Sequence, residues 1–165
     1  MSAQDLTRFA VPQRRPATGC IPTGYEILLR AAATVGIDFI TFQDDFDLEA
    51  AGVGRNNFES VGKAIQDKYP TVRPSSRRFG TGSDKATFIE ERLAAGLPTL
   101  VSIALGQNQG WHIVPVLGID ENGYYSLLWM THPSGRMEIR QMHRTDLILR
   151  HDELDGGDDV AFLEP

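Results

Sequence analysis

Residues 111–130 read WHIVPVLGIDENGYYSLLWM. Two runs rich in Val, Ile, Leu, Tyr and Trp flank Glu121-Asn122-Gly123, and a turn signal between such runs marks a hairpin. A hairpin joins antiparallel strands, so the sheet containing it is not built from βαβ crossovers. Outward from it, LPTLVSIAL (97–105) reads as a preceding strand. RMEIRQMH (136–143) sets Met137, Ile139 and Gln141 against Glu138 and Arg140, which suits a half-exposed edge strand. DLILRHDEL (146–154) reads as a short helix and DVAFLEP (159–165) as a last strand.

The other half of the chain carries helical periodicity. Ile27, Leu28, Ala31, Ala32 and Val35 predict a helix over Thr23 to Val35 that stops at Gly36, with Pro22 in its first turn. Phe58, Val61, Ile65 and Tyr69 share one face of a second helix, Asn56 to Lys68, ended by Pro70. A strand is expected around Thr71 to Phe79. A third helix starts at Ser83, its expected cap, and stops at Gly96. IDFITF (37–42) has the composition of a short strand, while QDDFDLEAAGVG (43–54) gives mixed signals. Helices first and antiparallel strands later predict an α+β fold, with N-terminal helices packed on a C-terminal antiparallel sheet.

The 165 residues suit one domain, 1–165. With 41% hydrophobic and 23% charged residues, the composition is that of a globular protein with a core. A formal net charge of -6 argues against a nucleic-acid or anionic-membrane surface. No run reaches the ~18 apolar residues of a membrane span. The opening MSAQDLTRFAVPQRRP has no continuous apolar segment of a secretory signal. The expectation is a cytoplasmic protein, or one secreted without a cleavable signal. The single cysteine requires no oxidising compartment. The acidic Asp44, Asp45, Asp47 and Glu49 lack the glycine and terminal glutamate of a calcium loop and read as a solvated segment. LDGGDD (154–159) reads as a turn.

That one cysteine, Cys20, stands in PATGCIPTGYEILLRA (16–31), at the mouth of the first helix. Unpaired N–H groups at a helix start lower a thiol's pKa and can hold an oxyanion. Gly19 lets the backbone bend tightly there and leaves room for a substrate chain. A cysteine nucleophile needs a base. His112 opens an apolar strand after a glycine-rich loop, at the rim of the sheet, where a cleft can form. His143 and His151 lie in polar surroundings and read as solvated.

Taken in order, VPQRRPATGC, AAGLPTLVSIAL and GWHIVPVLGIDENGYYSLLW resemble the papain-like cysteine peptidases, closest to the compact bacterial branch of double-glycine leader peptidases. The resemblance runs from Val11 to the last strand. It implies Cys20 as nucleophile, His112 as general base and acid, and Gln13 as a side-chain contributor to the oxyanion hole, one residue further from the cysteine than is usual. Trp111 shields the site from water or packs at a strand end. Where the family places Asp or Asn before a proline, this chain has Thr131-His132-Pro133. His132 could accept from His112 through one ring nitrogen but would not stabilise imidazolium as a carboxylate does. The implied activity is a cysteine-dependent hydrolase, a peptidase or an amidase or acyltransferase, acting on a peptide or protein without cofactor. The alternative is a catalytically degenerate relative that binds a peptide or partner. A zinc site of Cys20, His112 and His132 has no short-spaced ligand pair to support it.

Overall fold

The computed structural model describes residues 3–15, 18–107, 109–130, 137–154 and 159–165. A 3-10 helix, Ala3–Phe9, precedes helices α1 (Cys20–Ala31), α2 (Phe42–Asp45) and α3 (Phe58–Lys68). Strand β1 (Pro74–Arg77), helix α4 (Gly82–Ala94) and strands β2 (Leu100–Ala104), β3 (Trp111–Ile119), β4 (Tyr124–Met130) and β5 (Met137–His143) follow. Helix α5 (Arg144–Leu154) and strand β6 (Val160–Leu163) complete the fold. The strands form one sheet in the order β1-β6-β2-β3-β4-β5, every neighbour antiparallel. The fold is α+β. No helix of the described residues is long and apolar enough to cross a membrane.

The sheet is covered on both faces. Ile21, Tyr25, Leu28 and Leu29 of α1 pack with Phe42, Phe46, Phe58, Val61 and Ile65 on Leu100, Ile113 and Ala161. On the other face Ala86 and Ile89 of α4 and Leu147 of α5 pack on Val101, Ile103, Val114, Val116, Tyr125 and Leu127. Strand alternation therefore divides β3, with Ile113 toward α1 and Val114 and Val116 toward α4 and α5. Within this second layer α4 and α5 fit closely. A Cβ at Gly82 would lie 2.5 Å from the Ile148 carbonyl oxygen of α5. Gly82→Ala is expected to force the two helices apart at a cost of about 1–3 kcal/mol, read as a lower urea midpoint.

Several expectations shift. The first helix begins at Cys20 and ends at Ala31 rather than running from Thr23 to Val35. Residues 37–40 form no strand, and the chain turns into the short α2 instead. Helix α4 is capped by Thr81, whose hydroxyl oxygen accepts from the Asp84 N–H at 3.1 Å, not by Ser83. The hairpin stands as expected, closed by Asp120 and Tyr124, with Asp120 Oδ1 also accepting from the Asn122 N–H.

His151 is buried, not solvated. One ring nitrogen lies 3.0 Å from the Phe79 carbonyl and the other 3.2 Å from Asp159 Oδ1. Asp159 and Lys85 are 1% and 2% exposed. Lys85 Nζ donates to the Ser102 carbonyl at 2.7 Å and lies 3.5 Å from Asp159 Oδ1. Asp159 also accepts from the Phe79 N–H through Oδ2, and its carbonyl accepts from the Ser102 N–H. Asp159 thus joins the exit of β1, helix α4 and helix α5 through its carboxylate, and strand β2 through its backbone carbonyl. Burial pushes the Lys85 ammonium below its ordinary pKa, with Asp159 opposing.

Candidate active site

Gly19 is the N-cap of α1, so no side chain caps this helix and Cys20 is its first residue. The Gly19 N–H donates to the Arg15 carbonyl at 3.0 Å. A Cβ on Gly19 would come within 2.8 Å of that same oxygen. The direction a side chain would take from Gly19 is therefore filled by the chain's own Arg15 backbone. Its φ of -88° is open to any residue, so the requirement for glycine here is one of space.

Cys20 is half-buried and packs with the α1–α3 cluster that includes Ile113. Burial pushes its thiol above the ordinary value, and Glu49 adds to the rise. The backbone N–H groups of Ile113, Ile21 and Cys20 itself act on the sulfur in the opposite sense. The expected effect of the helix terminus is thus present, but burial outweighs it. The resting cysteine is a thiol rather than a thiolate.

His112 lies next to the Ile113 N–H that faces the sulfur, yet its ring goes elsewhere. It pairs in register with Ile103, whose side chain belongs to the α4–α5 layer. Its ring centroid lies 4.6 Å from that of Trp129, and Arg140 stacks over the other ring system of this edge, 4.4 Å from the Trp129 centroid. Burial pushes His112 down to about 4, with the Arg140 charge adding to the shift. Its Nε2 is buried and has no hydrogen-bond partner among the described residues. The structure brings Cys20 to the His112–Ile113 backbone, but no hydrogen bond between the described side chains joins thiol and imidazole. The period-two alternation of β3 accounts for this separation.

Gln13 is buried, and its amide nitrogen donates to the Arg15 carbonyl at 2.7 Å. That bond ties the amide to the loop ahead of Cys20. Trp111 is partly buried and pairs with Ala104 on the sheet face that carries Ile113. His132 lies outside the described residues, as does most of the glycine pair's turn.

The residues missed in the sequence are those that hold the approach to Cys20. Gln43 and Asp47 are 5% and 0% exposed, so the acidic segment is not simply solvated. Gln43 Nε2 donates to the Pro12 carbonyl at 2.9 Å, and its Oε1 accepts from the Arg14 N–H and the Thr23 hydroxyl, both at 2.9 Å. Asp47 Oδ2 accepts from the Thr18 hydroxyl at 2.5 Å, and Oδ1 from Asn56 Nδ2 at 2.8 Å and the Ala50 N–H at 3.1 Å. Asn56 Nδ2 also donates to the Thr18 carbonyl at 2.7 Å. Burial alone pushes the Asp47 carboxyl up. The bonds from Thr18, Asn56 and Ala50 and the Arg15 guanidinium outweigh it and hold the group below its ordinary range. A signal was available: Phe42 and Phe46 stand one helical turn apart, and Gln43 and Asp47 repeat that spacing one residue on.

No family model matches the chain. No curated protein matches it either. Among solved structures, the crystal structure of the Pseudomonas avirulence protein AvrPphB aligns over 96% of this chain and 98% of that one, at 12% identity and a TM-score of 0.34. A likeness at that level carries no argument about fold or activity.

Proposed function

We propose that the chain is a cysteine-dependent hydrolase of the papain-like kind, in which Cys20 attacks a peptide or amide carbonyl. The observation that carries this reading is the convergence of backbone N–H groups from Cys20, Ile21 and Ile113 on the one thiol of the chain. Donors arranged in this way stabilise negative charge on sulfur, and on an oxygen beside it, without further reorganisation. In the reaction His112 takes the thiol proton as the S–C bond forms, and returns it to the leaving amine as the C–N bond breaks. Water, deprotonated by the same imidazole, then opens the thioester and restores the thiol. An amine in place of water makes the site a transferase, and a side-chain amide substrate makes it a deamidase. His112 serves only after its ring leaves Trp129 and the start of β3 turns it toward the Cys20 face, so the reading includes that backbone rearrangement when substrate arrives.

A peptide-binding module without turnover is the second reading. It is favoured by the raised thiol and by the imidazole stacked away from it.

The test pairs iodoacetamide with a panel of peptide, amide and ester substrates. Alkylation of the resting protein is expected to have its midpoint above the ~8.5 of a free thiol, scarcely moved by His112→Ala. Turnover is expected to vanish in Cys20→Ser and to fall by at least ~100-fold in His112→Ala. Equal turnover in His112→Ala removes that residue from the mechanism. An inert panel with an intact fold leaves the binding module.

A further inference from the structure

We propose that Asp47 is the positioning residue of the Cys20 site, holding the start of α1 through Thr18 and Asn56 so that its N–H groups stay aimed at the sulfur. The inference rests on the reading of Cys20 as the reactive group. Asp47 is remote from the thiol along the chain and touches it nowhere among the described contacts, so it acts only through the segment it grips.

That grip has two strands. The Asp47 carboxylate takes the Thr18 hydroxyl directly, one residue before the N-cap. Asn56, itself bonded to Asp47, takes the Thr18 carbonyl. Thr18 is thus held at both its side chain and its backbone by buried Asp47 and half-buried Asn56, and Asn56 is oriented by accepting the Leu48 N–H through Oδ1 at 2.8 Å. The next residue, Gly19, has no side chain with which to cap the helix. In most helices a Ser, Thr, Asp or Asn at this position would both cap and fix the entry angle. Here the cap's side-chain bond is absent, and the first-turn N–H groups are left to the sulfur, so the entry angle must come from elsewhere. Asp47 is fully buried, and a buried carboxylate persists only where donors satisfy it. Its donors are Thr18, Asn56 and Ala50, with the Arg15 guanidinium 3.6 Å from Oδ2. Two of those four residues, Arg15 and Thr18, flank the turn into Cys20.

The experiment reads the pH profile of Cys20 alkylation by iodoacetamide in the full chain. Asp47→Ala and the milder Thr18→Val are compared with Asp44→Asn and Gly82→Ala. Asp44→Asn removes an exposed partner of the same Arg15, and Gly82→Ala loosens the opposite helix layer. The N–H groups at the start of α1 pull the thiol's pKa down against burial, so freeing the turn weakens that pull. The midpoint is expected to rise by about one pH unit in Asp47→Ala, a tenfold loss in rate below it, and in the same direction in Thr18→Val. At the same time turnover is expected to drop by ~100-fold as the N–H groups lose their aim. A fall in the midpoint overturns the proposal, because the segment then shields the sulfur rather than aiming donors at it. Asp44→Asn is expected to match the wild type, and Gly82→Ala to lower stability without moving the midpoint. Superimposed profiles for wild type and Thr18→Val, with Asp47→Ala either superimposed or unfolded, overturn the proposal. An equal shift in Gly82→Ala also overturns it, because general loosening then explains the effect. Alkylation needs no turnover, so an inert substrate panel defeats the hydrolase reading while the role of Asp47 is still decided.

Discussion

Asp159→Ala is expected to destabilise the protein by about 3–5 kcal/mol, the cost of leaving a buried charge without its partner. Lys85 Nζ would remain inside the α4–α5 layer with the Ser102 carbonyl as its acceptor. The Phe79 N–H would lose its acceptor, and His151 its carboxylate. The backbone adds a further term, because Asp159 has a φ of 62°. Asp and Asn tolerate that region better than Ala. Asp159→Asn separates the two contributions, keeping the backbone preference while removing the charge. Urea unfolding measures both. The double variant Asp159→Ala/Lys85→Met is expected to recover part of the loss, since it removes the stranded ammonium as well. A cost below 1 kcal/mol for Asp159→Ala, or no recovery in the double variant, shows that the ion pair does not hold these elements together.

Acid is expected to weaken the fold through His112. Its folded pKa lies near 4, against 6.5 for an unperturbed imidazole. The unfolded chain therefore binds a proton that the folded chain refuses between those values. Stability from the neutral ring is whole above about pH 6.5, declines as pH falls, and is gone below about pH 4. The loss approaches about 3 kcal/mol at its limit, less what the partly exposed ring recovers from solvent. His112→Leu keeps a neutral side chain of similar bulk against Trp129 and removes the proton. Comparing urea midpoints of the two proteins from pH 7 to pH 4 isolates this term from the carboxylates, which titrate in both. Curves that stay parallel would show that the ring takes up its proton in place.

Much of the architecture is legible in local pattern. The hairpin at Glu121-Asn122-Gly123, the amphipathic spacing of Phe58, Val61 and Ile65, and the alternation of residues 137–141 all report backbone geometry over a few residues. The candidate site is legible only as a position. Cys20 at a helix start and His112 at a strand start are both where the sequence puts them. Which face His112 occupies depends on the register between β2 and β3, a pairing of distant residues. The direction of the Cys20 shift depends on how much of the chain closes over the sulfur. Asp47 and His151 look polar and therefore solvated in isolation, and only tertiary partners such as Asn56 and Phe79 reverse that reading. Thr81 displaced Ser83 as a cap because the helix starts two residues earlier than a cap at Ser83 implies.

The place of β6 also sets the order in which the molecule can assemble. This strand comes last along the chain but lies between β1 and β2. Pro74 pairs with Leu163, and Leu100 with Ala161. Strand β1 has no other partner in the sheet, so it waits, edge exposed, until the end of the chain threads in beside it. Closing so long a loop carries an entropy cost before any contact repays it. The β2–β5 ladder is made of near neighbours and can form early. The C-terminal strand is the keystone of the sheet, and loss of residues 160–163 would leave a four-stranded sheet, β2 to β5, with β1 stranded beside it.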